Sequence, residues 1–137
     1  MEQALNSLAS GFPWLIFYLT VVAVIYISGI FIYVMLTPHK EFSLISDGNM
    51  AAAISFSALV IGLALPLAAC LVNKFGLVDV AIWGVVSLFL QLFLFRVTDS
   101  IFPNMPQRIT NNEVPAATVL ASFKIAGSIL LAVAIVG

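Results

Sequence analysis

The chain has 137 residues, of which 63% are hydrophobic and only 8% charged, with a mean hydropathy of +1.19. A soluble domain of this size needs far more charge on its surface, so the composition points to a bilayer and excludes disorder and a disulfide scaffold. Five Lys/Arg against six Asp/Glu give a net charge of −1, and with no basic stripe to follow phosphates the reading includes no nucleic acid.

A helix crossing the hydrocarbon core needs about 20 mostly apolar residues. Four stretches meet that demand: about 13–36, 50–72, 79–97 and 114–136. In lipid every backbone N–H and C=O has to be paired within its own segment, so apolar runs of this length are expected as helices. The expected fold class is therefore all-α, a polytopic membrane protein with four transmembrane helices in a single transmembrane domain. The first span lacks a basic n-region and a small-residue cleavage site, and it is read as permanent. Pro13 suits a first helical turn, where its missing N–H costs nothing. Phe12, Trp14, Tyr18 and Tyr33 suit the interfacial belts.

The first and third loops with their flanking helix ends carry Lys40, Arg96 and Arg108, plus His39, whereas the opposite side carries Lys74. Basic residues are retained in the cytoplasm, which places both termini outside. Ile45 to Ala53 lines up with Ile109 to Ala117 at a spacing of 64 residues. Each half, about 13–72 and 79–136, then reads as a helical hairpin, and the two as a tandem parallel repeat.

Lys124 is the sharpest polar feature. It lies about 15 Å into the fourth span at 1.5 Å per residue, near mid-membrane, where a lysine costs about 2.5–3.5 kcal/mol. It shares a helix face with Ala117, Ala121 and Ser128, and small residues on a face let a neighbouring helix approach. Counted by depth, Gln91 on the third span is its expected partner. The second span has a stripe of small residues, Ala51, Ser55, Ala58, Gly62 and Ala69, and Pro66 should kink it. Packing within one protomer is the ordinary use of such a stripe, and a subunit interface is the other. The candidate buried-polar or path-lining residues are Lys124, Gln91, Ser128 and Ser55; Ala51, Ala58, Gly62, Ala117 and Ala121 are the helix-packing candidates.

Asp47, Gly48 and Asn49 read as a turn with Asn49 capping the second span, and Asn112 reads as the equivalent cap for the fourth. Cys70 is the one cysteine and His39 the one histidine. No metal-ligand spacing, nucleophile–base pair or phosphate-cradling glycine loop is present, so catalysis, cofactor and metal are not expected. Asp79 and Asp99 fall near span ends, where charge is cheap.

Thr37-Pro38-His39-Lys40-Glu41, Asn49 to Ser57, Leu59-Val60-Ile61-Gly62 with Pro66, and Trp83-Gly84 with Gln91 together resemble domain-of-unknown-function family 350, the YjfL type of four-helix bacterial inner-membrane proteins. The resemblance runs through the first three spans, while length and helix pattern cover the chain. The fourth span departs from it, with Leu130 where members carry an asparagine and with an unusual Lys124. The resemblance implies an inner-membrane protein without an assigned activity, in a setting of membrane maintenance beside phage-shock-type stress proteins. The functional expectation is a homo-oligomer in the lipid bilayer that forms or lines a path for small ions or polar solutes. The competing expectation is an anchor for a cytoplasmic membrane-stress partner.

Overall fold

A computed structural model describes residues 1–37, 41–72, 76–102 and 104–137. Lys40, Lys74 and His39, which weigh in the expected orientation, lie outside the described residues, as do Pro38 and Pro103. The described residues form six helices: α1 (Glu2–Leu36), α2 (Glu41–Ser46), α3 (Met50–Val72), α4 (Leu77–Ile101), α5 (Met105–Thr110) and α6 (Val114–Val136). Four of them, α1, α3, α4 and α6, are long and apolar enough to cross a membrane. The protein is an all-helical, multi-pass membrane protein.

The boundaries of two spans differ from the sequence reading, and α4 runs over Leu77–Ile101 rather than about 79–97. Helix α1 begins at Glu2 and puts Pro13 in its interior, because the Ala- and Leu-rich stretch before Pro13 favours helix and Glu2 complements the positive end of the helix dipole. At 35 residues it is about 52 Å long, well over the hydrocarbon thickness. The stretches read as polar loops each contain a six-residue helix, α2 and α5.

Helix α3 is the centre of the bundle, packing on α1, α4 and α6. Its small residues make that possible. Ala51, Ser55, Ala58, Gly62 and Ala69 are all buried, and a side chain on Gly62 would come within 2.7 Å of both Phe95 and Ser128. Lipid is as apolar as leucine, so packing at this range, rather than apolar burial, holds membrane helices together. Helices α1 and α4 meet in the same manner: Leu88 seats over Gly29, and a Cβ on Gly84 would stand 2.9 Å from Ile25. Outside, Phe31, Phe89, Phe93 and Leu130 are exposed, as a lipid-facing surface demands.

The turns before α3 and α6 are built alike. Gly48 N–H bonds to the Ile45 carbonyl and Asn49 N–H to Leu44; Asn112 N–H bonds to Ile109 and Glu113 N–H to Arg108. Both are Schellman closures. Each places a residue in the left-handed region, Gly48 at φ 84° and Asn112 at φ 60°.

Gly62→Ala should lower stability by about 1–3 kcal/mol, because Phe95 and Ser128 must both move. Gly127, with open space around it, is the control: Gly127→Ala should leave thermal unfolding in detergent unchanged or slightly improved. Equal effects at the two positions would remove the close-approach account.

Candidate functional site: a buried Lys–Asp–Tyr cluster beside a cavity

Lys124 is only 2% exposed, and its charge is answered from the neighbouring helix. Its Nζ lies 2.9 Å from Oδ1 of Asp99 on α4 and donates to the hydroxyl of Tyr33 on α1. Tyr33 in turn donates to Asp99 Oδ2 at 2.7 Å. Nζ also stands over the Tyr33 ring, 4.8 Å from its centroid, and 5.4 Å from that of Phe95. Three helices thus converge on one ammonium. Both carboxylate oxygens of Asp99 and the phenol of Tyr33 are committed to the cluster.

This corrects three expectations. Lys124 pairs with Asp99 rather than Gln91, because side chains on a helix lean toward its N-terminus. The long stem carries the ammonium down from the level of its backbone to Asp99, two residues from the end of α4. Asp99 is not a cheap charge at a span end: its side chain is 20% exposed and serves as the counter-ion. Tyr33 belongs to no interfacial belt; it is 2% exposed and sits inside the cluster.

Gln91 and Ser128 come together one layer away. Gln91 Nε2 donates to Ser128 Oγ and, at 3.2 Å, to the carbonyl of Gly62, while Ser128 donates to the Lys124 carbonyl at 2.8 Å. The Gly62 carbonyl is the one that Pro66, four residues on, leaves without an N–H. Gln91 therefore supplies the donor that Pro66 removes. Ser87, one turn away on α4, lies 3.7 Å from Sγ of the buried Cys70.

The cap candidates divide differently from expectation. Asn49 caps its own helix, its Oδ1 accepting from Ala52 N–H at 2.9 Å. Its amide also reaches the Ile109 carbonyl at 2.9 Å. Asn112 does not cap α6. Its Oδ1 accepts from Ala51 N–H at 3.0 Å, and Glu113 stands at the N-cap of α6 with no side-chain cap bond. The αL backbone at Asn112 turns its side chain away from its own helix and onto α3. The two turns are thereby locked to each other by crossed bonds. Asp47 sits at the end of α2 and bonds through its backbone N–H to Ser43.

Ala117 and Ala121 are buried on the same face of α6 as Lys124 and Ser128, against α3, where Ala117 clusters with Ala51 and Ala52. Ser55 is 3% exposed and lines a cavity of about 310 Å³ with Tyr33, Thr37, Arg96, Asp99 and Ser100. The floor of this cavity is the Asp99–Tyr33 side of the cluster. Arg96 and the cavity were invisible as a unit in the sequence, because their lining comes from four separate helices, α1, α3, α4 and α5, and the bend at Thr37. Asp99 offered one signal: it stands three residues beyond Arg96 and one helical turn beyond Phe95, on the flank of α4 that continues the buried Gln91 face.

Two outcomes follow. Asp99→Asn strands the Lys124 ammonium and should cost stability toward the lower part of the about 3–5 kcal/mol seen when a buried pair loses one partner, since Asp99 keeps some solvent. Lys124→Met in the same chain should recover most of that loss in detergent unfolding; additive losses would mean the two groups do not interact. Gln91→Leu should cost about 1–3 kcal/mol by leaving the Gly62 carbonyl unpaired. In a Pro66→Ala background, where the helix supplies its own N–H, the same change should cost clearly less, as measured by a double-mutant cycle.

Residues 7–135 match the family model described as Domain of Unknown Function (DUF350). The chain is 32% identical over 100 residues to the protein named UPF0719 inner membrane protein YjfL from Escherichia coli K12, covering 73% of this chain and 76% of that one. The protein of the same name from Escherichia coli O157:H7 matches to the same extent. No solved structure matches. A bundle of four apolar helices, a family model spanning nearly the whole chain and these inner-membrane relatives give one conclusion: the chain is a multi-pass inner-membrane protein and belongs to the DUF350 family.

Proposed function

We propose that this protein is a non-catalytic membrane subunit that assembles with copies of itself and lines a path for a small ion or polar solute, entered at the cavity beside Asp99. The observation that carries this reading is the buried Lys124–Asp99–Tyr33 cluster, whose Asp99 and Tyr33 line a cavity of mixed polar and apolar walls. Ionisable groups are expensive within a membrane and concentrate where solutes or protons are handled. One protomer of four spans is too small to ring an aqueous path, which is why the reading includes a homo-oligomer. Both termini lie outside in this reading, so the cavity opens on the cytoplasmic side, with Arg96 and Arg108. A tandem repeat is part of it: α2 and α3 have the lengths of α5 and α6, and their bounds recur at 64 residues. The setting is membrane maintenance, as the family resemblance implies.

A second reading, a scaffold for a cytoplasmic membrane-stress protein, is favoured by one feature. The crossed Asn49 and Asn112 bonds join the two turns, and Leu44 and Ile45 of α2 pack in one apolar cluster with Met105 and Ile109 of α5 at that same end of the bundle.

Reconstitution in liposomes separates the two. The path reading expects flux above protein-free vesicles and, by native mass spectrometry from nanodiscs, a closed assembly of several copies. Lys124→Met with Asp99→Asn, which removes both charges together, should change ion preference by the field it deletes. Absence of flux, or an unchanged preference in the double variant, overturns this role for the cluster. A monomer that retains a cytoplasmic partner only while α2 and α5 are intact supports the scaffold.

A further inference from the structure

The described basic side chains are not equally satisfied. Lys124 has Asp99, and Arg108 has Glu113 at 3.2 Å. Arg96 lines the cavity and has no carboxylate partner among the described residues. It stands five residues before the end of α4, about 7–8 Å along the helix, at the depth where hydrocarbon gives way to headgroups.

The other polar groups around the cavity are mostly committed. Thr37 donates to the Tyr33 carbonyl at 2.8 Å and Ser100 to the Arg96 carbonyl at 2.9 Å. The Tyr33 proton and both Asp99 oxygens belong to the lysine cluster. That leaves the Arg96 guanidinium, which has no ion pair among the described residues, as the cation on the cavity wall, with the buried Glu41 carboxylate acting on the Tyr33–Lys124 side of the cluster. The Ser55 hydroxyl, which has no hydrogen-bond partner among the described residues, is an available neutral donor. Asp99 does not cancel Arg96, since its own charge is answered by Lys124. A cavity whose spare capacity is a guanidinium and a hydroxyl donor selects an acceptor-rich anion.

We infer that this cavity binds a phosphate group, with the Arg96 guanidinium as its charge partner and the Ser55 hydroxyl as a second donor. The planar guanidinium fork matches two phosphate oxygens at once, which a lysine does not reproduce. A volume of about 310 Å³ lies at the small end of ligand sites and suits a free phosphate ion or a lipid phosphate rather than a larger solute. The inference rests on the reading of this cavity as the functional mouth and deepens it by naming the ligand chemistry.

The test is binding, not transport. Delipidated protein in an uncharged maltoside detergent is titrated with inorganic phosphate and, separately, with short-chain phosphatidylglycerol, followed by calorimetry and native mass spectrometry. The expected result is saturable binding of one equivalent per chain for at least one probe, weakened roughly tenfold or more by Arg96→Gln. Ser55→Ala should weaken it less, and Arg96→Lys should restore part of it. Arg96 is exposed, so thermal unfolding of Arg96→Gln should match the parent chain and exclude misfolding. Binding of inorganic phosphate assigns the site to the free ion; binding of the lipid alone assigns it to a headgroup. No saturable binding of either probe, or equal binding by Arg96→Gln, overturns the inference. Binding without flux in liposomes would sink the path and leave the phosphate site; flux without binding would do the reverse.

Discussion

The ammonium of Lys124 has to be answered inside the bundle, and much of the architecture follows from how it is. A lone charge at that depth would cost several kcal/mol, far more than any single van der Waals contact returns. The answer comes from Asp99 on α4 and Tyr33 on α1 together, so one side chain on α6 sets the register of two other helices. Such pairs bring little net stability over an apolar core of equal volume, because the desolvation cost is so large. What the cluster contributes is uniqueness of arrangement: sliding α4 by one turn would unpair Lys124 and Asp99, and sliding α1 would withdraw the Tyr33 hydroxyl that bonds to both.

The close approach of helices is the second requirement, and it is met by omission of side-chain volume. Gly62 lets Phe95 and Ser128 reach the surface of α3, and Gly29 and Gly84 accept Leu88 and Ile25. The same closeness lets Gln91 reach the Gly62 carbonyl that Pro66 has released. Proline, glycine and glutamine thus form one device spread over two helices. Removing the proline alone would make the glutamine redundant, whereas removing the glutamine alone leaves a buried carbonyl without a donor.

The four spans were legible because hydropathy is additive along a helix and requires no partner. The buried face of α6, with Ala117, Ala121, Lys124 and Ser128, was legible from the 3.6-residue period for the same reason. Partners were not. Depth counted by rise per residue set Lys124 beside Gln91, but a lysine stem reaches several ångströms toward the helix N-terminus, and that displacement exchanges Gln91 for Asp99. Asn112 shows a similar limit: its sequence position before a helix suggested a local cap, while its left-handed backbone sends the side chain to another helix. The α2 and α5 helices were missed because six residues are too few to show a period. Arg96 carried no signal beyond its charge, since the cavity exists only when separate helices converge.

At an offset of 64 residues the bounds of α2 and α3 return as those of α5 and α6, yet the chemistry does not return with them. Lys124 corresponds to Val60, Asp99 to Met35, Arg96 to Ile32 and Ser128 to Ala64. Each of these pairs sets a polar or charged side chain in one half against an apolar one in the other. The turn closures, by contrast, are kept in both halves, because any helix entering lipid from a tight turn must dispose of its terminal N–H and C=O groups. Backbone satisfaction is therefore imposed twice, and the charged cluster once. A charged cluster that occurs once among the described residues, beside a cavity lined in part by its own Asp99 and Tyr33, is the arrangement in which a polar site can be placed off the centre of the bundle, close to one membrane face, while the rest of the protein stays apolar enough to remain in lipid.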